Sequence, residues 1–117
     1  MAATRPSQFA LPLQVAAICY RLRQDNGVEF LLVKTRGGNK WTFPKGDPER
    51  SLTHSQAAQR EAWEEAGVRG NIQPKHFHLY LHSKGVFWKP SGIREYIVKA
   101  FLLEVVETDL GHEPRSV

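Results

Sequence analysis

Apolar and polar residues in the first part of the chain follow a pattern that predicts three strands. Residues 15–22 are mostly apolar, and residues 28–34 form a second apolar run. The Asp-Asn-Gly segment at residues 25–27 between them is typical of a tight turn, so we predict a hairpin. A further short strand is predicted at residues 41–43. It ends at Pro44, because proline has no backbone N–H for a sheet.

The last part of the chain predicts two more strands. Side chains at residues 76–81 alternate in polarity and place Phe77, Leu79 and Leu81 on one face. Residues 95–106 form a long apolar run. Glycine and proline mark the loops, which we predict at residues 35–40, 45–52 and 84–93.

One helix is predicted between these two groups of strands. Thr53 followed by Gln56 three residues later matches the capping box that begins a helix. Gly67 is the residue type that ends a helix in a left-handed conformation. The helix is therefore expected from about residue 54 to residue 66. The order of strands, helix and strands predicts an α+β fold, a mixed sheet with the helix packed on one side.

Length and composition favour a single globular domain. The chain has 117 residues, of which 41% are hydrophobic, too many for a disordered chain. We expect residues 1–8 to be frayed and residues 9–117 to form the domain. The single cysteine, Cys19, excludes an intramolecular disulfide and is expected to be a buried, inert thiol. No apolar run approaches the ~18–20 residues that cross a bilayer, so a cytoplasmic protein without a membrane partner is expected.

The net charge of +4 does not establish nucleic-acid binding, which we consider unlikely. Its distribution is more informative. Acidic residues cluster in the predicted helix and basic residues are spread over the surrounding segments. An acidic site with basic loops around it is suited to a metal ion and a polyanionic substrate, although a mixed solvated surface is the simpler alternative.

Three carboxylates of the helix, Glu61, Glu64 and Glu65, fall within an arc of roughly 100° on a helical wheel. Like charges at this spacing destabilise a helix by ~0.2–0.5 kcal/mol per pair. Arg60 could offset one charge through Glu64, whereas a hard divalent cation would offset all three. Oxygen ligands favour Mg²⁺ or Mn²⁺ over Zn²⁺. An ordinary solvated acidic face would show the same residues, so the surrounding sequence decides.

The segment from residue 46 to residue 68 resembles the box of the Nudix (MutT-like) hydrolase family. The residues that match in register are Gly46, Arg60, Glu61, Ala62, Glu64, Glu65, Gly67 and Val68. One position departs from the box, since Leu52 stands where the family has its early glutamate, and Glu49 lies three residues before it. The resemblance implies a Nudix fold, an α/β/α sandwich whose C-terminal helix we expect to be missing in this chain.

The resemblance also implies a metal-dependent pyrophosphohydrolase. Glu61, Glu64, Glu65 and the backbone carbonyl of Lys45 would hold Mg²⁺ (or Mn²⁺), and Arg60 would orient the glutamates. Water would attack a phosphorus atom with Glu61 as the base, so Glu61, Arg60 and Glu64 are the expected catalytic residues. A late acidic ligand is expected at Glu113, which is equally well interpreted as a solvated tail residue.

The loop Pro44-Lys45-Gly46 resembles diadenosine polyphosphate and diphosphoinositol polyphosphate hydrolases. A phosphorylated small molecule is therefore the expected substrate. The candidate phosphate-binding residues are Lys34, Arg36, Lys45 and Lys84, and each could equally be a surface residue. Two other functions stay open: a Nudix-type binding module weakened by Leu52, and an RNA 5′-end pyrophosphohydrolase. A homodimer is also possible if one sheet face lacks its helix.

The remaining candidates have structural interpretations. His76, His78 and His82 are expected to be strand or edge histidines, because no cysteine or carboxylate cluster accompanies them. Trp41 and Tyr96 are expected to be core or loop-anchoring residues. Two further aromatic residues, Phe87 and Trp88, stand in a glycine-flanked loop where they could contact the substrate.

Overall fold

The computed structural model describes residues 11–35, 39–85 and 92–109, and in them it has one helix, α1, at His54–Ala66. The strands are β1 (Leu13–Leu22), β2 (Val28–Phe30), β3 (Val33–Lys34), β4 (Trp41–Thr42), β5 (Lys45–Gly46), β6 (Val68–Ile72), β7 (His78–Gly85) and β8 (Ile93–Thr108). The expected α+β architecture is confirmed. The predicted frayed segment at residues 1–8 lies outside the described residues.

Strands β1 and β8 form the parallel centre of a mixed sheet. Their register runs from Leu13 opposite Ile97 to Tyr20 opposite Glu104. Strands β2 and β5 pair with the other edge of β1, and β6 and β7 pair with the other edge of β8. Strands β3 and β4 form a separate antiparallel ribbon. Strand β5 therefore borders the first half of β1, beside α1, and β2 borders its last residues.

Helix α1 packs on one face of this sheet through small side chains. Ala57, Ala58 and Ala62 are buried in one cluster with Val15 and Cys19 of β1. Alanine at the contact allows the helix to approach the sheet closely. The prediction for Cys19 is confirmed: the thiol is fully buried, and burial raises its pKa to about 12.

Both predicted ends of the helix are confirmed. The Thr53 hydroxyl accepts a hydrogen bond of 3.2 Å from the Gln56 N–H, and the Gln56 side chain accepts one of 2.9 Å from the Thr53 N–H. Gly67 has φ 66°, the left-handed conformation expected at the C-terminal cap. Local capping chemistry therefore specifies where α1 begins and ends.

Several strand predictions were wrong because short strands depend on partners that are distant in sequence. The predicted strand at residues 28–34 divides into β2 and β3, which belong to different sheets. Residues 45–46 lie in a predicted loop but form β5 on the edge of β1. Strand β6 at residues 68–72 was missed, and β7 begins at His78 and includes residues 84–85 of the predicted hairpin loop.

A prediction for stability arises at Gly70, where the register between β6 and β8 shifts. A Cβ on Gly70 would lie 2.8 Å from the backbone carbon of Glu104 and closer still to its carbonyl oxygen. Backbone atoms of a central strand cannot swing away. We therefore expect Gly70→Ala to lower the free energy of unfolding by about 1–3 kcal/mol, measured by urea denaturation.

Gly27→Ala is the matched control for this substitution. A Cβ on Gly27 would meet only the guanidinium of Arg23, the end of a flexible and exposed side chain. An unfolding free energy of Gly70→Ala equal to that of Gly27→Ala would contradict the proposed backbone clash.

Among the residues described, no helix is both long enough and apolar enough to cross a membrane.

Candidate active site

Two carboxylates of α1, Glu61 and Glu65, are buried where the helix meets β5. Their exposed fractions are 5% and 3%. They are four residues apart, so they lie one above the other on the same face of the helix. Burying charged carboxylates is costly unless a partner or cation compensates them. Their placement therefore points to chemistry at this junction rather than to packing.

Strand β5 provides both the contact and the space for these carboxylates. The Lys45 N–H donates a hydrogen bond of 3.0 Å to Glu65 Oε1. Gly46 pairs with Val15, whose side chain belongs to the core beneath α1, so Gly46 faces the helix. A Cβ on Gly46 would lie 2.7 Å from Glu61 Oε2 and closer still to the other carboxyl atoms. Only glycine leaves the Glu61 carboxylate in this position.

Glu64 has a different environment, because Arg60 holds it. Arg60 Nε donates to Glu64 Oε1 at 2.7 Å, and Arg60 Nη1 donates to Glu49 Oε2 at 2.8 Å. The hydrogen bond that Arg60 donates to Glu64 and the charge of Glu49 raise the pKa of the Arg60 guanidinium. Arg60 thus links the last turn of α1 to the loop before the helix.

The departure at position 52 has a structural reason. Leu52 is partly buried and packs against the hydrophobic core, so this position contributes apolar contact and no carboxylate. Glu49, three residues earlier, reaches the site through its ion pair with Arg60. The structure therefore keeps an acidic group of the loop in contact with the helix, although from a different position.

Oxygen donors at this junction are of the kind that hard divalent cations prefer. Within residues 11–35, 39–85 and 92–109, however, no three His, Cys, Asp or Glu side chains gather closely enough to hold an ion. Glu61 and Glu65 meet neighbouring residues of β5, whereas Glu64 pairs with Arg60. By donor chemistry and by burial, Glu61 and Glu65 fit a metal ion. Glu64, the third expected ligand, is paired with Arg60 in this structure.

A basic cluster lies near these carboxylates. Burial and the charge of Lys84 lower the pKa of the Lys45 ammonium, while Glu65 and Glu61 act in the opposite direction. Burial, followed by the charges of Lys45, Lys84 and Lys40, lowers the pKa of His82. Lys45 and Lys84, which the sequence nominated separately, are therefore brought together. His82 is a strand histidine of β7, as predicted. Its proximity to Lys40, which is not among the predicted phosphate-binding residues, depends on strand pairing and is not visible in the sequence.

The other nominated residues are distributed as follows. Lys34 lies on β3 with its Nζ 5.1 Å from the centre of the Trp41 ring. Trp41 is 61% exposed, which contradicts a core role and leaves the loop-anchoring role as the other predicted alternative. Tyr96 lies between Arg94 and His82 within the β7–β8 pair. Four nominated residues fall outside the described part of the chain: Arg36, Phe87, Trp88 and Glu113.

Comparison with known families gives a match to the NUDIX domain over residues 12–116. Among curated proteins, the chain is similar to Nudix hydrolase 18, mitochondrial, of Arabidopsis thaliana, with 35% identity over 83 residues, covering 64% of this chain and 47% of that protein. It is also similar to diphosphoinositol polyphosphate phosphohydrolase 2 of Rattus norvegicus, with 36% identity over 59 residues, covering 50% of this chain and 32% of that protein. The chain thus spans less than half the length of these relatives.

Two solved structures have a similar fold. A binary complex of the C. elegans Ap4A hydrolase superposes with a TM-score of 0.58 at 22% identity, covering 91% of this chain and 77% of that one. The NUDIX domain of Shewanella oneidensis NrtR, solved with ADP ribose, gives a TM-score of 0.63 at 18% identity, covering 97% and 73%. At these identities the likeness establishes the arrangement of sheet and helix.

Proposed function

The chain belongs to the Nudix family, and on this premise we propose that it hydrolyses a phosphate–phosphate bond in a polyphosphorylated small molecule with the help of Mg²⁺ or Mn²⁺. The observation that carries the proposal is the pair of buried carboxylates, Glu61 and Glu65, facing Gly46 and Lys45 of β5. Members of the family generally use divalent metal ions, and which ion serves here is part of the proposal.

Each residue of the site has a proposed task. Glu61, Glu64, Glu65 and the Lys45 carbonyl would hold the metal. When bound, the ion would neutralise the diphosphate and make water more acidic. Glu61 would take the proton of the attacking water, because the missing side chain at Gly46 leaves room for its carboxylate beside β5. Arg60 would keep Glu64 oriented through its charge-assisted hydrogen bond.

The proposed substrates are diadenosine polyphosphates or diphosphoinositol polyphosphates. Lys45 and Lys84 lie near the carboxylates, and Lys40 joins them around His82, which supports a ligand with several phosphates. Lys34 and Arg36 are further candidates for phosphate contacts. The names of similar proteins support the same two classes, one being a diphosphoinositol polyphosphate phosphohydrolase and another an Ap4A hydrolase.

A substrate panel tests the proposed function. Phosphate release is measured from diadenosine tetraphosphate, a diphosphoinositol polyphosphate, ADP-ribose, nucleoside triphosphates and triphosphorylated RNA, with Mg²⁺ and with EDTA. We expect release from one of the first two classes that EDTA abolishes. No metal-dependent release from any substrate would overturn the proposal. Release from RNA alone would favour the RNA 5′-end alternative.

A second candidate function is a binding module without turnover. Leu52 supplies no carboxylate to the site, and Arg60 holds Glu64 in an ion pair. Tight binding of a panel member together with no metal-dependent release would favour this alternative.

Removing the contact between Arg60 and Glu49 is expected to have a modest effect on the hydrolysis rate. Exposed ion pairs contribute little, so Glu49→Gln is expected to lower the hydrolysis rate by no more than roughly fivefold. The decrease should be larger at low ionic strength, where the pair is less screened. Rates of the variant and of Glu29→Gln, which removes an exposed charge paired with Arg21, are compared at two salt concentrations. Equal rates for the two variants would exclude a role for Glu49.

The cytoplasmic location and the homodimer stay predictions. Two similar proteins from Arabidopsis thaliana are named as mitochondrial.

A further inference from the structure

Strand β7 has an outer edge that no other strand among the described residues covers. It is eight residues long and pairs with β8 alone, from His78 opposite Ala100 to Gly85 opposite Ile93. Neither α1 nor β5, which form the candidate active site, pairs with it. The backbone N–H and C=O groups on the outer side of β7 are therefore available to a further strand.

Other edges in the described part of the sheet are protected in ways that the edge of β7 is not. Strand β2 has only three residues, and its Glu29 is charged. Strand β6 contains a register shift, and Gln59 Nε2 of α1 donates a hydrogen bond of 3.1 Å to Gly70 O. Short length, charges and bulges usually prevent an edge from adding a strand. Residues 78–83 of β7 contain no proline, Asp, Glu, Lys or Arg, and they pair with β8 without a register shift.

One face of β7 is apolar and exposed. Leu79 pairs with Lys99, which pairs in turn with Val15 in the core under α1. Directly paired residues share a face and side chains alternate along a strand, so Leu79 and Leu81 lie on the α1 side of the sheet. The helix does not cover them, because their exposed fractions are 49% and 65%. An apolar strip therefore borders the open edge on this side.

The opposite face of β7 is positively charged beside the same edge. It presents Tyr80, His82 and Lys84, since these residues alternate with the leucines. Burial, followed by the charges of Lys45, Lys84 and Lys40, lowers the pKa of His82, so all three ammonium groups are near this face. The sequence of β7 contains no Asp or Glu that would offset them.

We infer that the outer edge of β7 binds an extended segment of a partner protein with apolar side chains on one face and acidic side chains on the other. Such a strand would place apolar groups against Leu79 and Leu81 and carboxylates against His82 and Lys84. Main-chain hydrogen bonds to β7 would supply affinity, and the alternating side chains would supply specificity. The inference goes beyond the proposed function and does not depend on hydrolysis.

A second copy of this chain fits the edge less well than an acidic partner. Two β7 strands related by a twofold axis would bring Lys84 of both copies, and the lysines near it, to the same face of the joined sheet. Like charges on paired strands are destabilising, and neither copy of β7 has a carboxylate to compensate them. Charge complementarity therefore selects the acidic segment as the occupant.

Binding of a synthetic strand to the full chain tests this inference. The probe is a capped octapeptide in which valine and glutamate alternate, and the control peptide has lysine in place of glutamate. We expect the acidic peptide to bind, more tightly at low ionic strength, and the lysine peptide not to bind at concentrations up to about 1 mM. Bound peptide should also slow hydrogen exchange at backbone amides of β7, because an open edge leaves them unprotected.

A matched pair of variants locates the binding surface. Leu81→Asp adds a negative charge to the apolar strip and should weaken the acidic peptide roughly tenfold or more. Leu22→Asp makes the same change at a leucine of β1 that is 66% exposed and should leave binding unaltered. Both side chains are largely exposed, so both variants should keep the thermal midpoint of the original chain.

Four results would overturn the inference. The first is no binding of the acidic peptide up to about 1 mM, and the second is equal binding of the lysine peptide. The third is equal binding of the acidic peptide to Leu81→Asp and Leu22→Asp. The fourth is a dimer, measured by sedimentation, that dissociates in Leu81→Asp, because a second copy would then occupy the edge. An absence of hydrolysis in the substrate panel would overturn the proposed function and leave this inference standing.

Discussion

Glu65→Gln and Glu64→Gln are each expected to lower metal-dependent phosphate release at least tenfold. Glutamine keeps the size of the side chain but removes the charge that a divalent cation needs, and loss of such groups typically costs 10- to 100-fold or more. Glu65 is the more informative position, because its carboxylate is buried and accepts the Lys45 N–H at 3.0 Å. Initial rates over a range of Mg²⁺ concentrations measure the effect.

The thermal midpoint separates a chemical loss from a structural one. Both variants should unfold near the temperature of the original chain, because glutamine fills the same space. Glu29→Gln, on exposed β2, is the control for removing a carboxylate and should retain full activity. If both helix variants stay near the original rate, the assignment of Glu64 and Glu65 as metal ligands is wrong.

Gly46→Ala is expected to have the second large effect, a decrease of roughly 100-fold in hydrolysis. The added Cβ would overlap the Glu61 carboxylate and force it to move, and a shift of about 1 Å in a reacting group costs on the order of 100-fold. The unfolding free energy should change much less, because the atoms that must move are at the end of a side chain and do not belong to the backbone. Rates and urea denaturation are measured on the same preparation.

Gly70→Ala gives the opposite pattern and serves as the comparison. There the added Cβ meets the backbone of Glu104 and none of the helix carboxylates, so stability should fall while the activity of the folded fraction is retained. An activity of Gly46→Ala close to that of the original chain would show that Glu61 tolerates displacement. Its proposed role as the base would then be untenable.

Local chemistry explains why α1 was predicted to the residue. Thr53 and Gln56 satisfy backbone groups within one turn, and Gly67 adopts a conformation that other residues rarely accept. These effects act over three or four residues and are visible in a linear sequence. The long strands β1 and β8 were found for a similar reason, since their apolar runs are long enough to identify without knowing their neighbours.

Short strands could not be predicted in this way. Strand β5 has two residues, Lys45 and Gly46, neither of which favours a strand. It exists because β1 offers an open edge beside α1. The cavity on the face of the sheet away from α1 is likewise invisible in the sequence, since Trp41 and Tyr80 line it together only after β4 and β7 are in place.

The sequence by itself determined the family and the carboxylate helix, because the spacing of Arg60, Glu61, Glu64 and Glu65 is a local property of 3.6 residues per turn. Only the tertiary structure decided how those carboxylates differ. Pairing of β5 with β1 buries Glu61 and Glu65 against Gly46 and Lys45, while Glu64 is held by Arg60 at the exposed side. Burial and strand pairing bring together residues that are distant along the chain, and such contacts cannot be inferred from the local spacing of side chains.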